Sequence, residues 1–468
     1  MVDRLEHREG LRRRLTRGLG ATALGPVVTA LIQLGSVPIL LHAWGASKYG
    51  DWLILSAIPS YLTLSDLGLG DASGSDMAMR LGAGDRDGAL QTFQSSWVFV
   101  TAVSVAIMLL ALPIVWWIPW QTWLKLSSIS SRQAAEIISL LGAHIVVSQQ
   151  DGIAESGFRS DGHFATGMFW ITMLRLTEAV ASTIVALLGG NLLAVAITYL
   201  IVRFVGTIGY ISLLRHVSPW IHYGIRHARL KAIKLMAAPA LGFMALPVGS
   251  AMSLQGLTLV IGARLGPLAV VSFSTLRTLS RLNLQLIGVI KNALWPELSR
   301  AFGAGDISLV RRLHRRACQA SLALSASGGL FLWIFGPLIY RLWIGHNVSF
   351  NAACFHILLL VVLTNSLWDT SSVIPISMNG HSRIAANYVG ASAFSLILAW
   401  VLVGPFGLVG AAVALLATDG WMTGLVLRTA LWQAQDTPKN FAVALLSIPN
   451  FALQPTPKIG QGELPDLQ

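Results

Sequence analysis

Four arginines lie within apolar stretches long enough to cross a membrane, namely Arg175, Arg203, Arg277 and Arg281. A charge at the centre of a bilayer costs about 3 kcal/mol or more, so it normally faces a cavity and marks a pathway. Guanidinium groups bind phosphate oxygens through paired, charge-assisted hydrogen bonds. Arg277 and Arg281 are one helical turn apart and are predicted to share a face, with Lys291 continuing the cationic path. These arginines are candidate contacts for an anionic substrate. The alternative is that they form structural ion pairs or reach the membrane surface.

Four carboxylates accompany these cations as candidates for ion coupling: Asp66, Asp151, Glu178 and Asp369. Acids inside membrane spans commonly relay protons, and a carboxylate could also hold Na⁺. Glu178 follows Arg175 by three residues, so the sequence predicts that it neutralises this arginine. H⁺ and Na⁺ are therefore the candidate coupling ions if transport is coupled, and no other cofactor is predicted.

Motifs of enzymes that act on nucleotides, peptides or esters are missing from the sequence. There is no G-x-x-x-x-G-K-[ST] phosphate loop and no H-E-x-x-H or Cys/His metal spacing. No serine occupies a nucleophile-elbow sequence. We therefore predict no catalytic residues and no metal site, and expect that the protein is not an enzyme.

The composition indicates the elements that must position these charges. Of the 468 residues, 54% are hydrophobic and only 12% are charged, about half the charged fraction of a soluble domain. A membrane helix needs about 20 mostly apolar residues. The sequence predicts an all-α integral membrane protein with twelve spans, near 19–42, 52–70, 90–115, 135–154, 164–188, 191–213, 236–262, 267–290, 316–340, 352–378, 384–404 and 407–429. The short apolar segment 441–453 is expected to be interfacial or disordered.

The distribution of Lys and Arg predicts the orientation. Most of the 33 basic residues lie in the termini and the even-numbered loops. The odd-numbered loops carry only Lys48, Lys125, Arg132, Arg264 and Arg341. Positive residues favour the cytoplasmic side, so both termini are predicted to be cytoplasmic. The net charge of +12 is explained by this bias, and no nucleic-acid partner is expected.

An internal repeat divides the chain into two six-helix bundles. The sequence Gly-Ala-Gly-Asp at 82–85 recurs at 303–306, and Asp151, Gly162 and His163 recur as Asp369, Gly380 and His381. Gly45-Ala46 is paired with Gly262-Ala263, and Gly190 with Gly407. An even number of spans per repeat relates the halves by a pseudo-two-fold axis along the membrane normal, an arrangement in which transporters place their site between the halves. The predicted divisions are a basic segment 1–17, bundles 18–217 and 235–434, a basic linker 218–234 and a cytoplasmic tail 435–468.

Three stretches carry a family resemblance. They are LHAWGASKYGDWL at 41–53 followed by SDLGLG at 65–70, then FSTLRTLSR at 273–281, and ALWPELSRAFGAGD at 293–306. Together with the span count, they resemble the polysaccharide transporter branch of the multidrug/oligosaccharidyl-lipid/polysaccharide (MOP) flippase superfamily. The resemblance implies a flippase in a bacterial plasma membrane. Such a protein carries a polyprenyl-diphosphate-linked oligosaccharide, as for O-antigen, from the inner to the outer leaflet by alternating access.

Two other functions stay open at this stage. An ion-coupled multidrug or metabolite antiporter of the same fold is one alternative, although its cavity should be acidic or aromatic. A membrane glycosyltransferase, polymerase or ligase is another, although such enzymes usually have a larger outer loop. The expected partners are the lipid-linked oligosaccharide, membrane lipids and the polysaccharide polymerase machinery.

Overall fold

The computed structural model describes residues 24–345, 348–378 and 381–447. Every regular element in these ranges is helical. The predicted basic segment 1–17, most of the predicted tail and Gly380 of the repeat lie outside the described residues. Helices suit an apolar environment because they satisfy every backbone hydrogen bond within one segment.

The first half contains six spans. Leu24–Ala57 is kinked at Gly45 and holds the first span and the start of the second. The second span continues through a 3₁₀ helix and then Leu69–Gly82. The following helices are Arg86–Trp117, the short Trp120–Trp123, Ser131–Ser160, Phe164–Leu187 and Leu192–Val217.

The second half repeats this order. The seventh span comprises Leu230–Ala251, the π-helix Met252–Gly256 and Leu257–Leu265, and the eighth comprises Pro267–Ser280 and Leu282–Gly303. The remaining helices are Ile307–Ile344, Ala352–Ser371, Val373–Ser377, His381–Gln433 with a kink at Gly407, and Pro438–Leu446. We call Ile307–Ile344, the ninth span, α12, and we call the final helix, Pro438–Leu446, α16.

Eight continuous helical stretches of the described chain are long and apolar enough to cross a membrane. Gly25–Gly82 and Arg383–Gln433 each hold two spans on either side of a glycine kink. The fourth and eighth spans complete the predicted twelve but are more polar. They carry Asp151 and Glu155 in one case, and Arg277, Arg281 and Lys291 in the other. The expected all-α architecture is confirmed.

Local geometry supports the repeat and corrects one of its pairs. Asp85 and Asp306 each cap the following helix by accepting a hydrogen bond from a backbone N–H three residues on. Gly45 turns the first hairpin with φ of 75°, and its structural counterpart is Gly266, with φ of 86°. The pairing of Gly45 with Gly262 was therefore wrong, because Gly262 lies inside a helix and Gly266 makes the turn.

The second and eighth spans are both broken near mid-length. In the second span, the 3₁₀ helix Pro59–Asp66 ends at Leu67 and Gly68, which both have left-handed backbones. Gln149 of the fourth span donates to the carbonyl of Thr63 at 3.0 Å, which satisfies a backbone group that the break frees. In the eighth span the break falls at Arg281 itself, with φ of −92° and ψ of 1°. Discontinuous spans are common at transporter binding sites.

The two halves make close contact at the end of the bundle that carries Trp120. A side chain at Gly50 would come within 2.4 Å of the Pro267 carbonyl oxygen, so the backbones approach directly. Lys125 Nζ donates to the Arg264 carbonyl at 2.8 Å across the same junction. One hydrophobic core at this end includes residues of both halves.

Candidate functional site

A buried charge cluster joins three spans of the first half. Arg203 of the sixth span donates from Nη1 to Asp151 of the fourth at 2.8 Å and from Nε to Glu178 of the fifth at 2.7 Å. Its Nη2 bonds to the other oxygen of Glu178. The three residues are only 4–6% exposed, so the arginine is fully engaged and faces no open cavity.

Two neighbours complete this cluster. Thr207 donates to Asp151 at 2.8 Å, and His144 Nε2 lies 2.9 Å from Glu178 Oε1. The ring of Tyr199 meets His144 edge-on and stacks against Trp52. One arginine between two carboxylates leaves one formal negative charge, and the His144 ring contacts it through Glu178.

The second half contains a cavity of about 420 Å³ at the matching depth. Its polar lining comes from the seventh, eighth, tenth and eleventh spans. The residues include Arg281, Lys291, Asn365, Asp369 and Tyr388. This half of the molecule therefore leaves space between its charges, whereas the first half closes around them.

Arg281 is the cation of this cavity that stays available. Lys291 Nζ bonds to Asp369 Oδ1 at 2.5 Å, so these two charges neutralise each other. Asp419 accepts from Trp368 Nε1 at 2.6 Å and from Asn365 Nδ2 at 2.7 Å, so both bonds are made by neutral donors. Among the described residues, none forms a hydrogen bond or ion pair with the Arg281 guanidinium.

Arg277 lies on a second cavity, of about 280 Å³, between the two halves. Gln33, Ser36 and Tyr49 line it from the first half, and Gln255 and Thr258 line it from the second. Arg277 Nη1 donates to the carbonyl of Leu254 in the π-helix at 3.1 Å, and Thr258 Oγ1 donates to the same oxygen at 2.9 Å. Its guanidinium carbon also lies 5.5 Å from the centre of the Phe273 ring.

Arg277 and Arg281 lie one helical turn apart, because the Arg281 N–H donates to the Arg277 carbonyl at 3.1 Å, but their side chains line different cavities. The eighth span is not one continuous helix, because Arg281 ends one segment and begins the next. The predicted ladder down to Lys291 is also interrupted, because Lys291 is paired with Asp369.

The structure also shows the contacts of three other candidate charges, Glu178, Arg175 and Asp66. Glu178 pairs with Arg203 and His144, so the expected partnership with Arg175 was wrong. Arg175 is exposed on the fifth span. Asp66 accepts a bond from the Gly68 backbone N–H at 3.0 Å, which stabilises the turn at the break in the second span.

Sequence reasoning missed several polar residues around these sites. His144, Asn365 and Tyr388 were not singled out, since single polar residues in apolar runs have no recognisable spacing. Asp51 was also missed, although it stands within the quoted 41–53 stretch. It is fully buried and accepts from the backbone N–H of Ser128 at 2.8 Å, so it anchors the loop after Trp123.

No family model and no curated protein matches the sequence. Solved structures are similar in fold. An inward-facing multidrug resistance MATE family transporter of the MOP superfamily has a TM-score of 0.71 at 15% identity, covering 88% of this chain and 94% of that chain. A MOP superfamily transporter from Pyrococcus furiosus, described as having a binding pocket of reversed polarity, has a TM-score of 0.65 at 13% identity, covering 93% and 97%.

These similarities define the fold: a multi-pass membrane protein with twelve spans in two bundles, built like the MATE family transporters of the MOP superfamily. The outward-facing form of a MATE family transporter has a lower TM-score, 0.64, at 14% identity, covering 94% of this chain and 97% of that chain. The resemblance to the polysaccharide branch stays a prediction.

Proposed function

We propose that this protein is an alternating-access transporter that flips a polyprenyl-diphosphate-linked oligosaccharide from the cytoplasmic to the outer leaflet of a bacterial plasma membrane. The observation that carries the proposal is the unpaired guanidinium of Arg281 in a cavity at the break of the eighth span. An unpaired cation at membrane depth needs an anionic partner. The diphosphate supplies that anion, while the lipid tail stays in the bilayer.

The other cavity supports the same substrate class. Arg277 adds a second cation between the halves, beside hydroxyl and amide side chains that suit a sugar. Arginine is the side chain best matched to phosphate oxygens, because its planar donors bind in pairs. The buried cluster of Asp151, Glu178, Arg203 and His144 would then serve coupling to H⁺ or Na⁺.

The second candidate is a multidrug or metabolite antiporter. The similar solved structures include multidrug resistance transporters, and the excess carboxylate of the first half would suit a cationic substrate. We favour the flippase because the negative charges of that cluster are already bonded to Arg203, whereas Arg281 is unpaired. A membrane glycosyltransferase is the weakest alternative, since the MATE family protein and the Pyrococcus furiosus protein of similar fold are both transporters.

Deletion of the gene tests the proposal. Cells without the protein should accumulate the lipid-linked repeat unit on the cytoplasmic leaflet and lose the matching surface polysaccharide. Their resistance to cationic dyes should stay unchanged. If surface polysaccharide is intact and the cells become dye-sensitive, the antiporter function is correct instead.

The proposed orientation has a separate test. Reporter fusions after Asp85 and Trp120 should report the cytoplasm and the outside, respectively. A fusion that reports the opposite side at either position would contradict the topology inferred from the basic loops.

A further inference from the structure

The helix α16 is docked on the start of α12 by one of its faces. Phe441 is only 4% exposed and stacks on His314 with the ring centres 5.2 Å apart. Gln319 of α12 donates to the carbonyls of Ala444 and Ser447, near the end of α16. Arg315 pairs with the buried Asp436 just before the helix, with Nε and Oδ2 2.7 Å apart. The short helix is therefore a fixed part of the structure.

The position of α16 along α12 indicates its depth in the membrane. α12 has 38 residues, more than the roughly 20 that a bilayer core requires. Its first turns carry Arg311, Arg312, Arg315 and Arg316, and no charged residue follows from 317 to 340. The contacts with α16 fall at 314–319, where the charged part meets the apolar part. α16 therefore lies at the boundary between lipid headgroups and acyl chains.

The opposite side of α16 presents an apolar sector that the described protein leaves uncovered. Val443 is 62% exposed and Leu446 is 87% exposed, and the exposed Ala442 lies beside Leu446 on the helix surface. Lys439 is on the same face, one turn before Val443, where its long chain can reach past the apolar groups. Asn440 and Ser447 occupy an adjacent polar sector. An amphipathic helix of this kind lies in the plane of a membrane surface.

The charge around this helix is strongly positive. No acid occurs in 307–319 or in 437–447. Asp436 is already neutralised by Arg315. Arg311 donates from Nε to the Ala434 carbonyl, and Arg312 donates to Ser308, so both side chains are oriented along this surface.

We propose that α16 and the first turns of α12 form a binding surface for acidic phospholipids. Val443 and Leu446 enter the outer part of the acyl region. Arg311, Arg312 and Lys439 contact the phosphate groups of the headgroups. The negative surface potential of an anionic leaflet attracts each of these basic residues, so the three together distinguish acidic from zwitterionic lipid. The surface is independent of the transport site.

Spin labels on α16 test its placement. The two native cysteines, Cys318 and Cys354, are buried, so an added surface cysteine can be labelled selectively. In vesicles of phosphatidylcholine and phosphatidylglycerol, a label at V443C should be more accessible to oxygen than to a water-soluble nickel complex. The matched control N440C, on the polar sector, should show the reverse. Equal preference for nickel at both positions would overturn the placement.

Lipid-dependent stability tests the headgroup contacts. Adding phosphatidylglycerol to phosphatidylcholine nanodiscs should raise the melting temperature of the full-length protein. The double variant R311Q/R312Q should lose most of that increase, and R311K/R312K should keep it. R132Q, an exposed arginine at the opposite end, should behave as wild type. An unchanged increase in R311Q/R312Q, or an equal loss in R132Q, would overturn the proposal.

Discussion

The two halves of the molecule place charges at matching depths but pair them differently. In the first half, Arg203 is held by Asp151 and Glu178, and the cluster is closed. In the second half, Asp369 and Asp419 have other partners, and Arg281 faces a cavity of about 420 Å³. The same six-helix unit therefore provides a closed ion-pair cluster in one copy and, in the other, a cation that no described residue bonds.

This difference arises because different spans supply the partners of the equivalent aspartates in the two halves. The fourth and tenth spans contribute Asp151 and Asp369 at equivalent positions of the repeat. The partner of Asp151 comes from the sixth span, whereas the partner of Asp369 comes from the eighth. The sixth and twelfth spans, which are equivalent in the repeat, carry opposite charges here, Arg203 in one and Asp419 in the other. We infer that the first half provides coupling and stability, and the second half provides substrate recognition.

The largest expected effect on stability is at Arg203. Replacing it by Gln leaves two buried carboxylates without their cation. Breaking a buried ion pair on one side costs about 3–5 kcal/mol, so the free energy of unfolding should fall by that amount. Thermal unfolding in detergent measures it. A loss below about 1 kcal/mol would show that the cluster is hydrated or protonated, and the contrast between the halves would fail.

Arg281 should show the opposite behaviour. R281Q removes a cation to which no described residue is hydrogen-bonded, so unfolding stability should change by less than about 1 kcal/mol. Flipping of the lipid-linked glycan should fall about ten-fold or more, since a charged hydrogen bond contributes about 1.5–3 kcal/mol. R281K should recover part of the activity, because lysine cannot bind in pairs. Full flipping by R281Q would exclude Arg281 from the site.

A variant of Asp419 tests whether its two hydrogen bonds stabilise the second half. D419L removes the one oxygen, Oδ1, that accepts from both Trp368 Nε1 and Asn365 Nδ2. Leaving a buried donor without an acceptor costs about 1–3 kcal/mol. Chemical denaturation should show this loss, whereas the matched control D419N, which keeps an oxygen for both donors, should lose less. A neutral D419L would indicate that water already supplies these bonds.

The smallest expected effect is at Thr207. T207V removes the hydroxyl that donates to Asp151 at 2.8 Å but keeps the shape of the side chain. The expected loss is about 1 kcal/mol, well below that of R203Q. In an R203Q background the two losses should not add, because both groups act on one carboxylate. Strict additivity in the double variant would show that the cluster does not act as a unit.

The fold was predictable from the sequence because spans and repeats have long-range periodic signals. Asp85 and Asp306 identified the repeat correctly, and their caps confirm it. The site was less predictable. Arg277 and Arg281 are four residues apart, but the break at Arg281 and the cavities that the two side chains line depend on packing against other spans, which spacing does not encode. For the same reason, the choice of Glu178 between Arg175 and Arg203 depends on which helix lies alongside.

Diphosphate binding by the purified protein tests the central claim most directly. A short-chain prenyl diphosphate serves as the probe, titrated against wild type, R281Q and the remote control R132Q. We predict that wild type and R132Q bind it with equal affinity, and that R281Q binds at least about ten-fold more weakly. A lipophilic cation should not compete. Equal binding by R281Q, or competition by the cation alone, would contradict the assignment of the second half to an anionic lipid-linked substrate.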